Sequence, residues 1–210
     1  MKNGRPPLLV AIAGGSGAGK TWLADKLQAA LGGKATRLSL DNFYHDRSHV
    51  APERRARINF DHPRAIDWTE LEQVLHNLLN GRSARMPRYD FKTHSRIGHG
   101  TAVQPNRIIL LDGLWLLRRP GLRRLFDLRI FVACPTPLRL RRRLNRDLRS
   151  RGRTSDSVRR QFRETVEPMH VRFVAPQERH ADVVLKNGFG KRDVAELAER
   201  LKTMLGARAS

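Results

Sequence analysis

The chain has 210 residues, with 41 Lys plus Arg against 20 Asp plus Glu, a formal net charge of +21. That length suits one α/β domain and is long enough to bury a core. No apolar stretch approaches the roughly 20 residues of a membrane span, and the single cysteine, Cys134, excludes an internal disulfide framework and a Cys-based zinc site. No membrane partner is therefore expected, cytoplasmic residence follows as the default, and Cys134 reads as a buried structural thiol at a strand end. Arginine supplies most of the positive charge, since only eight lysines are present. Such a surface attracts polyanions, so either a nucleic-acid partner or an anionic small substrate in an Arg-biased chain would account for it.

The run Leu8–Ala13 is short and apolar, as a buried parallel strand is. Directly after it stand Gly14, Gly15, Ser16, Gly17, Ala18, Gly19, Lys20 and Thr21, a full match to G-x-x-x-x-G-K-[ST]. Leu23, Leu27, Ala30 and Leu31 then recur at helical spacing up to Gly32-Gly33. Strand, glycine loop and helix in that order make a cradle whose backbone N–H groups face phosphate oxygens. Lys20 can reach the β/γ-phosphates and the Thr21 hydroxyl can ligate Mg²⁺. A nucleoside triphosphate is the ligand this implies.

A second strand is expected over Thr36–Leu40, ending at Asp41-Asn42-Phe43-Tyr44. Asp41 there suits a base or a holder of metal-bound water, although Asp-Asn is also ordinary turn chemistry. A polar loop is expected from His45 to Arg57, then a helix whose stripe is Trp68, Leu71, Val74, Leu75, Leu78 and Leu79, capped by Asp67. Residues 84–103, broken by Gly98 and Gly100, read as a hairpin standing off the main sheet. Arg107–Leu111 is the next buried strand, and Asp112 at its end is where phosphate-loop proteins place an acid serving Mg²⁺; a strand-ending turn with Gly113 is the plainer reading.

Leu128–Ala133 reads as another strand, followed by a basic helix from Pro137 to about Ser150. Leu138, Leu140, Leu144 and Leu148 would form its buried side, with Arg139, Arg142, Arg143, Arg146 and Arg149 broadly opposite. An Arg-rich lid supplies positive charge to a transferring phosphoryl group; a DNA-binding helix looks similar. A helix over Val158–Phe173, a short strand Val183–Leu185 and a closing helix Asp193–Leu205 complete the pattern. Alternation of strands and helices predicts an α/β, P-loop NTPase fold: a mostly parallel sheet with helices on both faces, ligands binding at the strands' carboxyl ends. One domain over 1–210 is expected, with the hairpin at 84–103 and the lid at 137–160. Tyr89, Phe91 and His94 combine stacking faces with an imidazole, a means of holding a flat base.

Six segments in order resemble the uridine kinase family: GGSGAGKT at 14–21, DNFY at 41–44, NFDHPRAID at 59–67, PRYDFKTHSR at 87–96, RLRRRLNRDLRSRGR at 139–153 and ADVVL at 181–185. The resemblance implies transfer of the ATP γ-phosphoryl group to the 5′-hydroxyl of uridine or cytidine, with ATP and Mg²⁺ as cofactors. It implies Asp41 as general base with Tyr44 nearby, Asp61 after Phe60 on the ribose hydroxyls, and Tyr89, Phe91 and His94 around the base. Arg143 and Gln161 would be further nucleoside contacts, and Arg146, Arg151 and Arg153 the phosphate-clamping arginines; Thr21 and Asp112 would serve the metal. A nucleoside is then the partner, without specific nucleic acid or membrane, and the family's habit implies a homo-oligomer. Three positions depart from the family pattern: Asp112 replaces the usual Glu, Ile66 the usual aromatic, and Arg64 the usual acid. Trp115 has no place in this scheme. Another small-molecule hydroxyl (ribulose phosphate, glycerate, pantothenate, nicotinamide riboside) is the alternative acceptor, and a nucleic-acid-binding NTPase the alternative class.

Overall fold

A computed structural model describes residues 6–55, 58–186 and 188–208. The central sheet is built from β1 (Leu8–Gly14), β2 (Ala35–Ser39), β7 (Ile108–Gly113), β8 (Leu128–Val132) and β9 (Val183–Leu185), in the order β2-β7-β1-β8-β9 with every pair parallel. Alternation along β1 explains the layers. Leu8, Val10 and Ile12 enter one apolar cluster with Leu23 and Leu27 of α1 (Lys20–Leu31) and Leu197 and Leu201 of α8 (Lys191–Ala207). Leu9, Ala11 and Ala13 enter the other, with Leu71, Leu75 and Leu78 of α3 (Trp68–Leu79). The central strands β1 and β7 are thus buried on both faces, which helices on both sides of the sheet provide. The class expected from the sequence is the one observed.

Local chemistry sets the elements. Asp67 accepts a hydrogen bond from the Glu70 N–H at 3.0 Å and starts α3, as its sequence indicates. Two short antiparallel ladders nest within residues 84–103: β3 (Ala84–Met86) with β6 (Thr101–Val103), and inside them β4 (Tyr89–Asp90) with β5 (Ser95–Arg96). Gly98 and Gly100 adopt φ of 54° and 73° between those ladders, the left-handed region where glycine costs least. The loop after Tyr44 contains a single helical turn, α2 (Pro52–Arg55), while Ala56 and Arg57 lie outside the described residues. A second short turn, α4 (Pro120–Arg123), follows β7.

Beyond β8, α5 (Thr136–Ser150) leads to a long helical stretch. It comprises α6 (Ser155–Gln161), a wide turn at Phe162–Val166, α7 (Glu167–Met169), another wide turn at His170–Val174 and a tight one at Ala175–His180. The expected helix over Val158–Phe173 therefore exists but is interrupted by two i→i+5 turns, which no apolar periodicity announces.

The burial of α5 corrects the sequence expectation. Arg139, Arg143 and Asp147 are its buried residues, whereas Leu138, Leu140 and Leu144 are half-buried and Leu148 is exposed. Buried guanidinium groups are tolerable only when paired, and here they are: Arg139 with Glu167 at 2.6 Å and Arg143 with Asp147 at 3.3 Å. Periodicity reveals that a helix has two faces; the partners lying elsewhere in the chain decide which one turns inward. Two smaller readings also change. Cys134 is half-buried rather than buried, and Trp115 is a fully enclosed member of the α3-side cluster.

Candidate active site

The glycine loop owes its path to close approaches. Gly17 adopts φ 79°, and a Cβ there would stand 2.4 Å from the Arg139 carbonyl oxygen; one on Gly14 would stand 2.6 Å from that of Val132. A left-handed non-glycine residue costs roughly 1–2 kcal/mol before any clash. Gly17→Ala is therefore expected to lower Tm and to abolish the extra thermal stabilisation that saturating ADP gives the parent, measured by thermal unfolding with and without nucleotide. Gly14, Gly15 and Ala18 are buried behind the loop, while Ser16, Gly17, Gly19, Lys20 and Thr21 border an open cavity of about 880 Å³.

That cavity brings most of the sequence candidates to one place. Asp41 enters from the 3₁₀ turn Leu40–Phe43 just after β2, and Asp112 from the end of β7. Lys20 Nζ donates to the Gly15 carbonyl at 2.9 Å. Burial pulls its pKa down, partly opposed by the Asp41 and Asp112 charges. Asp112 is almost wholly buried. Desolvation raises its carboxyl pKa, against the opposing pull of Arg37 and Lys20.

At the other end, Tyr44, Phe60, Tyr89, Phe91 and His94 form one aromatic cluster. His94 stacks on Phe60 with 4.3 Å between ring centres and 9° between planes, while Tyr44 contacts Tyr89 at 5.0 Å. His94 has φ 53°, the single positive φ outside glycine among the described residues, the kind of backbone strain found at ligand clamps. Its Nδ1 is buried without a partner among the described residues, and burial together with Arg151, Arg153 and Arg55 lowers its pKa, which favours the neutral ring. A neutral imidazole offers one donor and one acceptor to a ligand. Asp61 lies between the cluster and the glycine loop, its pKa raised by burial and by Asp41 although Arg143 opposes this.

Arginines of α5 and the following turn close the remaining side. Arg143 donates to Ser16 Oγ at 3.0 Å and to Gln161 Oε1 at 2.9 Å, and lies 3.9 Å from Asp61. Arg153 also bonds Gln161 and donates to Ser157 Oγ at 2.8 Å. Arg151 stands over the Phe91 ring at 4.2 Å. Asp147, fully buried, gathers Arg143, Arg146 and Arg151. The sequence reading named Arg142 only as one arginine of the basic helix; it donates to the Ala18 carbonyl at 2.9 Å, and Trp22, which that reading missed, meets Phe189 edge-on at 5.6 Å at the cavity rim. Arg142 lay in the basic run, where no local feature separates it from its neighbours. Arg55 was also missed; it joins the loop before it to the hairpin by donating to the Thr93 carbonyl at 2.7 Å.

A parallel sheet carrying a phosphate loop, two carboxylates at neighbouring strand ends and an arginine-lined mouth define a P-loop kinase. The profile of the Phosphoribulokinase / Uridine kinase family matches residues 9–195, and the chain belongs to that family. Among its relatives, a "Uridine kinase" of Halalkalibacterium halodurans is 39% identical over 92% of each chain. Another from Deinococcus deserti is 40% identical over 87% of this chain and 88% of its own. In structure, a putative fructose transport system kinase from Silicibacter sp. TM1040 superposes with a TM-score of 0.69 at 23% identity, covering 88% of this chain and 92% of its own. Phosphoribulokinase from Rhodobacter spheroides superposes with a TM-score of 0.62 at 19% identity, covering 87% and 71%. These two similarities describe the fold alone. No described helix is long and apolar enough to cross a membrane.

Proposed function

We propose that this protein transfers the γ-phosphoryl group of ATP to the 5′-hydroxyl of a pyrimidine nucleoside, uridine or cytidine, in the cytoplasm. One observation carries the reading: a single cavity has the phosphate loop at one end and the aromatic cluster with His94 at the other, with Asp41 and Asp61 between. The names borne by the similar bacterial proteins agree with it. In this reading Asp41 accepts the hydroxyl proton, Asp61 accepts hydrogen bonds from the ribose, and Phe91, Tyr89 and His94 hold the base. Arg146, Arg151 and Arg153 offset charge spreading over the transferring group. Residues 137–160 serve as the lid that excludes water.

The donor set suits Mg²⁺. Thr21 Oγ1 lies 3.5 Å from Asp112 Oδ2, both hard oxygen donors at the phosphate end of the cavity. One hydroxyl and one carboxylate suit an ion held by one or two protein oxygens and the substrate phosphates. Thr21 and Asp112 would hold it, and its chemistry would be neutralisation of phosphate charge.

The test is a coupled ADP-release assay with Mg-ATP against uridine, cytidine, purine nucleosides, ribulose 5-phosphate, glycerate and pantothenate. Selective turnover of uridine or cytidine is expected; activity with a non-nucleoside alone overturns the acceptor assignment. The pH profile of KM gives a further check. Ionised Asp61 accepts from the ribose hydroxyls through both oxygens and more strongly than its protonated form, and burial raises its pKa. Nucleoside KM is thus expected to rise as pH falls through a pKa raised from the ordinary aspartate value, and Asp61→Asn should flatten that limb.

A further inference from the structure

We infer that Arg37 is a positioning residue that clamps the helix carrying Lys20 and Thr21 to the strand carrying Asp112, and so sets the geometry of the metal-serving oxygens. The inference rests on the proposed Mg²⁺ role of Thr21 and Asp112. Arg37 lies on β2, which pairs with β7 in the register Arg37↔Leu110 and Ser39↔Asp112. Alternation places it on the α1 side of the sheet, as it does Ala35, Ile108 and Leu110. Its guanidinium donates through Nε and an Nη to a single oxygen, Asp112 Oδ1, at 3.2 and 3.1 Å. Its other Nη donates to Asp25 Oδ1 at 2.6 Å.

Asp25 and Thr21 are four residues apart on α1, one above the other on the same helical face. Arg37 therefore joins two points: the helix one turn beyond Thr21, and the buried carboxylate facing Thr21. With Oδ1 taken by the guanidinium, Oδ2 is the oxygen left toward Thr21 Oγ1 at 3.5 Å. A short aspartate rotates freely about χ2, and a planar five-donor fork is the group that fixes such a carboxylate in one orientation. Partners that orient a ligating carboxylate typically change metal affinity by 10–100-fold when removed.

The test compares equilibrium binding of a fluorescent ADP analogue in Mg²⁺ and in EDTA for the parent, Arg37→Met, Arg37→Lys, Asp25→Asn and Asp112→Asn, with Tm recorded for each. The parent is expected to bind more tightly in Mg²⁺. Arg37→Met should lose on the order of tenfold or more of that gain while its affinity in EDTA stays unchanged. Arg37→Lys keeps the charge without the fork and should recover only part. Asp25→Asn leaves the buried pair intact and folds as the parent does; a several-fold loss of the gain is expected from the loosened helix. A merely structural Arg37 lowers Tm and leaves the Mg²⁺ gain intact in all three variants, which overturns the inference. If Asp112→Asn also keeps the full gain, the metal assignment itself fails and the inference falls with it.

Discussion

Asp41→Asn is expected to bind ATP as the parent does and to lose about two to four orders of magnitude in turnover, the range for removing a positioned general base. The side chain keeps its size, so the loop keeps its path, but an amide accepts no proton. Asp41 lies at the cavity wall between the phosphate and aromatic ends, and its charge acts on Lys20, Tyr44, Asp61 and Asp112 alike. In the proposed reading that location puts it beside the acceptor hydroxyl. Since the lost interaction exists in the transition state, kcat and kcat/KM should fall together while nucleoside KM changes little. Near-parental turnover would remove Asp41 as the base. A raised KM with unchanged kcat would instead make it a binding group.

What could be read from the sequence is what local chemistry settles. Strand β1, the glycine loop and α1 follow from an apolar run, four glycines and a helical stripe, and Gly14 and Gly17 take the positive φ of 149° and 79° that glycine accommodates. The Asp67 cap and the glycine-broken hairpin are equally local. The inward face of α5 was not legible. Arg143 turns inward because Ser16, 127 positions earlier, and Gln161, 18 later, accept its hydrogen bonds. Arg139 turns inward because Glu167 stands 28 positions on. A helix with leucines on one side and arginines on the other buries its leucines by default; pairing across the fold reverses that default here. Trp115 and Arg37 follow the same logic. Nothing adjacent to either in the chain reports its surroundings, and the Arg37 contacts with Asp25 and Asp112 exist only once β2 lies beside β7 under α1.

Asp147→Ala should damage both stability and catalysis, for one electrostatic reason. The carboxylate is fully buried and meets Arg146 Nε at 2.8 Å, Arg143 Nε at 3.3 Å and Arg151 Nε at 3.6 Å. Burial alone would push its pKa up, but the Arg146 hydrogen bond and the charges of Arg146, Arg143 and Arg151 outweigh that, and the net displacement is downward. Stability from a depressed carboxyl is complete above its unfolded value and is lost as pH falls through the folded one. The parent should therefore weaken in acid through a limb that the alanine variant lacks. Removing one partner of a buried pair costs about 3–5 kcal/mol. The lower end is expected, because Arg143 retains Ser16 and Gln161. Among the described residues Arg151 would keep only the Phe91 ring and Arg146 no other acceptor, and the two repel each other across the cavity mouth. Loss of oriented donors around a transferring phosphoryl group costs about 10²–10³ in kcat each, so turnover measured well below Tm should fall at least that far. Asp147→Asn separates the effects: it fills the space and keeps an acceptor but removes the charge. It should recover part of Tm while kcat stays low. An alanine variant that is folded at the assay temperature and turns over like the parent would show that the arginines hold their places without Asp147.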